Sequence, residues 1–146
     1  MSVTIASELV RQILAAVAAS PQVEICGLLF GDGDGRDGDA ITGALPCRNV
    51  AADPACWFEI DPAALIAAHR AARNGGPRIV GHYHSHPNGS PVPSPRDADS
   101  AAADGALWLI AADGALRAWR AVVDGAIEGR FEAVDLALDN MDNMDT

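Results

Sequence analysis

His84 and His86, separated by one residue, open a stretch in which Pro87, Ser94 and Asp97 follow at short range. On an extended segment side chains alternate with period two, so imidazoles at i and i+2 leave the backbone on the same side. Asp97, ten intervening residues after His86, can return to that side after a turn and add a carboxylate. Two nitrogens and one carboxylate leave the fourth tetrahedral position of a zinc ion open for water, which is the arrangement of a catalytic rather than a structural site. The alternative is a histidine-rich strand satisfied by hydrogen bonds in the core, with Asp97 only capping the next helix. His82 continues the alternation, so a three-histidine site is also open on spacing alone.

The elements that must position these residues can be read along the chain. Val3–Ile5 fits a short strand, and Ser7 is a good N-cap for a helix with Leu9, Val10, Ile13, Leu14 and Val17 at helical spacing. Ser20-Pro21 stops that helix. Glu24 to Gly31 reads as a buried strand beginning near Glu24. Asp32 to Asp39 alternates Asp and Gly but fails the EF-hand calcium pattern, because Arg36 sits at an acidic position and no Glu closes the loop. A solvated hairpin loop is expected there, with Ala40 to Leu45 as the returning strand.

Trp57 to Ile60 is a further strand candidate, and Asp61-Pro62 starts a helix that ends at Asn74-Gly75-Gly76. Leu65, Ile66 and His69 should share one face of it, with His69 a surface or packing residue rather than a ligand. Arg78 to His84 is the strand that carries the histidines into their loop. Ser94 can cap a helix from Pro95 to Ala103, which places Asp97 in its first turn. Leu107 to Ala111, Leu116 to Val122 and Ala126 to Val134 read as closing strands, with turns at Asp113-Gly114 and Asp124-Gly125. Mixed strands with two substantial helices give an α/β or α+β single domain over residues 1–138, followed by an acidic, frayed tail over 139–146.

Composition narrows the partners. The 146 residues carry 20 acids against 10 basic residues, all of them arginine, for a net charge of −10. That balance opposes binding to nucleic-acid phosphates. No apolar run is long enough to span a membrane. The N-terminal segment lacks the basic start and unbroken apolar stretch of a signal peptide, so the expected location is cytoplasmic. Cys26, Cys47 and Cys56 include no Cys-x-x-Cys pair and are expected to be buried free thiols.

The chain resembles the JAMM (MPN+) zinc metalloprotease family, and especially its small stand-alone prokaryotic members. The resemblance rests on His84-Ser85-His86-Pro87, six residues, Ser94, two residues and Asp97. Glu24-Ile25-Cys26-Gly27-Leu28-Leu29-Phe30-Gly31 looks like the strand that carries the family's glutamate. Asn49 and Phe58-Glu59-Ile60-Asp61-Pro62 look like the stretch before its central helix. It runs from about Val3 to Val134. The family implies a mixed β-sheet flanked by helices, similar to the cytidine deaminase fold. It implies one catalytic zinc held by His84, His86 and Asp97, with Glu24 bonded to the zinc water and Ser94 stabilising the oxyanion. His82 is left as a supporting or structural residue, Cys26 as packing, and Arg96 as an exposed helix arginine, with a grip on substrate carboxylate or backbone as its alternative. A zinc deaminase is set aside, because its His-x-Glu and Pro-Cys-x-x-Cys signature is absent.

The small members imply a substrate as well. It is a ubiquitin-like or sulfur-carrier protein ending in Gly-Gly, cleaved at the amide after the last glycine. Glycine permits close approach of its backbone and an extended tail can pair with a sheet edge. The expectation is a zinc-dependent amidase or (iso)peptidase. The competing reading is a non-catalytic zinc-binding scaffold, although every residue of the motif is present. The oligomeric state is not legible.

Overall fold

A computed structural model describes residues 2–32 and 40–139 of the chain. The elements are β1 (Ser2–Ala6), α1 (Ser7–Ala19), β2 (Cys26–Asp32), β3 (Ala40–Cys47), α2 (Pro62–Arg73), β4 (Arg78–Ser85), α3 (Pro95–Ser100), β5 (Leu107–Ala112), β6 (Ala115–Gly125) and β7 (Gly129–Asp139). The strands run in the order β1-β3-β2-β4-β5-β6-β7, and the sheet closes into a barrel because β1 also pairs with β7. β1 is parallel to both of its neighbours and β4 is parallel to β5, whereas the remaining pairs are antiparallel. The expected mixed sheet with few helices is thus present in one domain, with its two edges joined.

Every residue of β5 is buried, as expected of a strand covered on both faces. Its side chains alternate between two cores. Leu107 and Leu109 join Val3, Ile5, Leu29 and Tyr83, with Ile13 of α1 among them. Trp108 and Ile110 join Cys26, Phe58, Trp119 and Phe131, with Ala98 of α3 packed against them. Each large apolar side chain removed from water contributes about 1.5–3 kcal/mol. The second cluster is the floor on which the histidines stand.

Several boundaries differ from the sequence reading, each for a local reason. Ala6, not Ser7, is the N-cap of α1, because β1 still pairs through Ala6 with Asp139 and runs into the helix without a loop. β2 begins at Cys26, where register with both His84 and Cys47 starts. Glu24 therefore precedes the strand. Trp57 to Ile60 is not a sheet strand, and only an isolated bridge joins Ile60 to Asn49. The helix α3 stops at Ser100, short of Ala103.

Ile66 is 56% exposed, so Ala68 is the buried residue of α2 and His69 is exposed. The Asp113-Gly114 turn is present, both residues having positive φ. The Asp124-Gly125 turn is not where expected, because β6 continues through Gly125 and the chain reverses before Gly129. All three cysteines are free, but only Cys26 is buried, since Cys56 lies exposed in the turn closed by its bond to Asp53. The Asp/Gly-rich loop from 33 to 39 and the tail from 140 lie outside the described residues, while Asp139 belongs to β7.

Candidate active site

β4 carries His84 at its buried C-terminal end, and His86 follows it just outside the strand. Strand alternation sends both imidazoles to one side. Asp97 reaches them from the first turn of α3, which a reciprocal capping box holds in place. The Ser94 hydroxyl accepts from the Asp97 N–H at 3.0 Å, and the Asp97 carboxylate accepts from the Ser94 N–H at 2.9 Å. Pro95 at the first helical position presets that turn.

Three donor groups converge. His84 Nε2 lies 3.1 Å from His86 Nε2, 3.2 Å separates His84 Nε2 from Asp97 Oδ1, and 3.2 Å separates His86 Nε2 from Asp97 Oδ2. Donors about 2.05 Å from a tetrahedral ion are separated by about 3.3 Å, so these spacings fit a small divalent cation. His84 and Asp97 are 0% and 1% exposed, and Asp97 Oδ1 has no hydrogen-bond partner. Lone pairs brought together in so dry a place are what a cation compensates.

Each ligand candidate is aimed by a different device. His86 Nδ1 donates to the Ser90 carbonyl at 2.8 Å, which commits its proton to that nitrogen and turns the Nε2 lone pair toward the site. His84 Nδ1 is buried without a partner, so packing orients this ring instead. Phe58 stacks on it at 4.2 Å between centroids and an interplanar angle of 19°. Trp108 meets it edge-on at 5.8 Å.

Glu24 faces the same donors. Its carboxylate lies within 4.8 Å of both imidazole donor atoms, and its Oε1 is buried without a hydrogen-bond partner. Burial pushes its pKa up to about 7, with His86 opposing, Asp97 adding and Arg96 opposing. For Asp97, burial works toward protonation, but the close His84 and His86 imidazoles and the Ser94 N–H outweigh it and hold the carboxyl well below the usual carboxylate range. Burial lowers His84. Burial also works to lower His86, yet the Asp97 carboxylate and the Ser90 carbonyl prevail and raise it.

Glu24 is placed by residues whose part in holding it the sequence did not disclose. Its N–H donates to the Pro54 carbonyl at 2.7 Å, and its carbonyl accepts from Asn49 Nδ2 at 2.8 Å. Next to it, Ile25 donates to the Ser85 hydroxyl at 2.9 Å and accepts from the Ser85 N–H at 3.1 Å. Ser85 stands between the two histidines, so one strand end fixes both the imidazoles and the chain beside Glu24. A serine flanked by two ligand candidates was the available signal, but its bond spans 60 residues.

The remaining candidates separate. Ser94 serves the cap through its lone pair, which leaves its O–H proton for another acceptor. His82 does not join the donor set. Its ring packs edge-on to Trp108 at 4.3 Å, and its Nδ1 is shut off from solvent without a partner. Burial brings its pKa down to about 3. Cys26 is packing, and burial pushes its thiol up to about 12. A cavity of about 390 Å³ between α2 and β4, lined by Leu28, Leu65, His69 and His82, lies apart from the donors.

A largely closed mixed sheet with a two-histidine, one-aspartate donor set at a strand end, and a buried glutamate beside it, defines a domain of the JAB/MPN class. The chain belongs to the prokaryotic homologs of the JAB domain, whose family model matches residues 6–122. It is 42% identical over 93 residues to a desampylase of Haloferax volcanii, a match covering 64% of this chain and 65% of that protein. It is also 42% identical over 53 residues to a probable TtuB-protein conjugate cleaving protease of Thermus thermophilus, covering 36% of each. The match thus spans just under two thirds of the first relative and about a third of the second. The solution structure of a Desulfitobacterium hafniense protein superposes with a TM-score of 0.72 at 26% identity, over 94% of this chain and 93% of that one. Among the described residues no helix is long and apolar enough to cross a membrane.

Proposed function

We propose that this chain is a zinc-dependent amidase or (iso)peptidase that hydrolyses the amide after the C-terminal Gly-Gly of a ubiquitin-like or sulfur-carrier protein. The observation that carries the reading is the convergence of His84, His86 and Asp97 with Glu24 beside them. The relatives named for desampylation and for cleaving TtuB-protein conjugates support the conjugate as substrate class.

His84 Nε2, His86 Nε2 and the Asp97 carboxylate would hold the ion. When bound, zinc supplies Lewis acidity and makes hydroxide available near neutral pH. Glu24 takes a proton from the attacking water as its oxygen adds to the glycine carbonyl carbon. It then gives that proton to the leaving nitrogen as the C–N bond breaks. The Ser94 hydroxyl donates to the tetrahedral oxygen, a contact worth about 3 kcal/mol for one such donor. Proton traffic at Glu24 needs a carboxyl poised near neutrality, and burial supplies that.

The test is intact-mass analysis of Gly-Gly carrier proteins, each extended at the C-terminus, after incubation with zinc-loaded protein and, in parallel, with Glu24→Ala. Loss of the extension after the second glycine with the wild type alone is the expected result. Intact carriers at full zinc occupancy would count against the reading.

A further inference from the structure

Arg96 stands on α3 between Ser94 and Asp97, and the donor set leaves it without a role. Its guanidinium lies 4.8 Å over the Trp57 ring. Trp57 packs on Phe58 at 5.0 Å between centroids, and Phe58 is the ring stacked on His84. The side chain is exposed, and among the described residues it makes no hydrogen bond or ion pair. The ring face holds the cation in place while leaving its N–H edges uncommitted. That planar edge matches a carboxylate in two parallel hydrogen bonds. Its charge also reaches Glu24, where it favours the ionised carboxyl against the effect of burial.

Glu24 must meet the scissile nitrogen to protonate it. If the leaving group is one amino acid, its α-carboxylate carbon is two covalent bonds, or about 2.5 Å, from that nitrogen. A carboxylate so placed arrives beside Glu24 and Asp97, in a protein whose net charge is −10. Anions brought this close repel unless a cation stands with them. We infer that Arg96, held over the Trp57 ring, is a specificity residue that receives the free α-carboxylate of a single-amino-acid leaving group joined to the Gly-Gly end. A conjugate through a lysine side chain of a folded protein presents no carboxylate there, nor does an amide-capped residue. The inference rests on the amidase reading above and names the leaving group that site takes.

The experiment compares a Gly-Gly carrier extended by one alanine as the free acid with the same carrier extended by alanine carboxamide. kcat/KM is measured by intact mass for zinc-loaded wild type, Arg96→Gln, Arg96→Lys and Trp57→Leu. Melting temperature and zinc content of each variant report folding separately. The wild type is expected to prefer the acid by roughly tenfold, mainly through KM, as one solvent-exposed charge-assisted contact allows. Arg96→Gln should erase the preference, and Arg96→Lys, with charge but no planar fork, should keep part of it. Trp57→Leu, which removes the platform and some packing on Phe58, should weaken it, with melting temperature and zinc content reporting the packing loss. A merely structural arginine would slow both substrates equally. Equal rates on acid and amide with the wild type would overturn the assignment, as would a preference that survives Arg96→Gln. If the wild type cleaves neither extension, the amidase reading falls and the inference goes with it.

Discussion

Glu24 is the residue whose environment most departs from its sequence context. A carboxylate at the mouth of an apolar stretch would ordinarily turn to solvent, yet here it is 6% exposed with one oxygen unpaired. Replacing it with Gln removes proton transfer but none of the three proposed zinc donors. Glu24→Gln is expected to retain zinc while kcat falls about 10²–10⁴-fold, read from metal content and turnover on the same sample. Its titration predicts the pH profile. Burial raises the carboxyl to about 7, and a bound cation draws it down again. A base works deprotonated, so kcat/KM should rise with pH through an acid limb at or below pH 7. A profile that stays flat down to about pH 5 would contradict the role given to Glu24. The meeting of the histidines and Asp97 was legible because it needs only local spacing. The aim of the His84 ring was not, since Phe58 and Trp108 reach it from other elements.

Between elements, the irregular arm from residue 48 to residue 61 does the holding. Trp57 to Ile60 has strand composition, but the Asn49 side chain competes for its backbone. Asn49 Nδ2 donates to the carbonyls of Glu24 and Trp57 at 2.8 and 3.0 Å, and its Oδ1 accepts from the N–H groups of Ala51 and Glu59 at 3.0 Å each. One amide thus ties the arm to the Glu24 segment, and its flank is sealed where Val50 donates to Glu59 and Asp61 to Arg48. Asn49→Ala is expected to cost about 2–3 kcal/mol, seen as a lower urea midpoint, since partly exposed bonds net roughly 1 kcal/mol or less each. It should also lower kcat more than it raises KM, because the segment bearing Glu24 loses its tether. Helix starts fared better in the sequence, since Asp61-Pro62 and Ser94-Pro95 carry the cap and the first turn within a few residues. Ser7 misled because the cap geometry went to the last residue of a paired strand.

At the scale of the molecule, metal binding and folding should be linked. The donors come from β4, its following loop and α3, which are brought together only in the folded chain. An ion that binds the native state alone adds stability through its occupancy, about 4 kcal/mol at a thousandfold excess over Kd. Zinc is therefore expected to raise the melting temperature by about 10 °C in a chain of this size. Chelation should reverse the shift, and His86→Ala should abolish it. A calorimetric scan with and without zinc decides this, and an unchanged midpoint would argue against metal at these residues. Barrel closure raises the same point for the termini, since β1 and β7 pair over five residues from Ser2 to Ala6.

By itself, the sequence brought out the His84, His86 and Asp97 cluster, the mixed sheet and the element that carries the histidines. Period-two alternation, a proline-led cap and a Gly-flanked apolar run are encoded by neighbours in the chain. Only the tertiary structure decided that Glu24 leaves the ladder before β2, that Ser85 and Asn49 pin its segment, and that the sheet closes on itself. It alone also set Arg96 over the Trp57 ring. Those outcomes depend on hydrogen bonds and ring contacts between distant segments, such as the 60 residues separating Ile25 from Ser85. Their energies are set by burial and by competing partners, which local spacing does not encode.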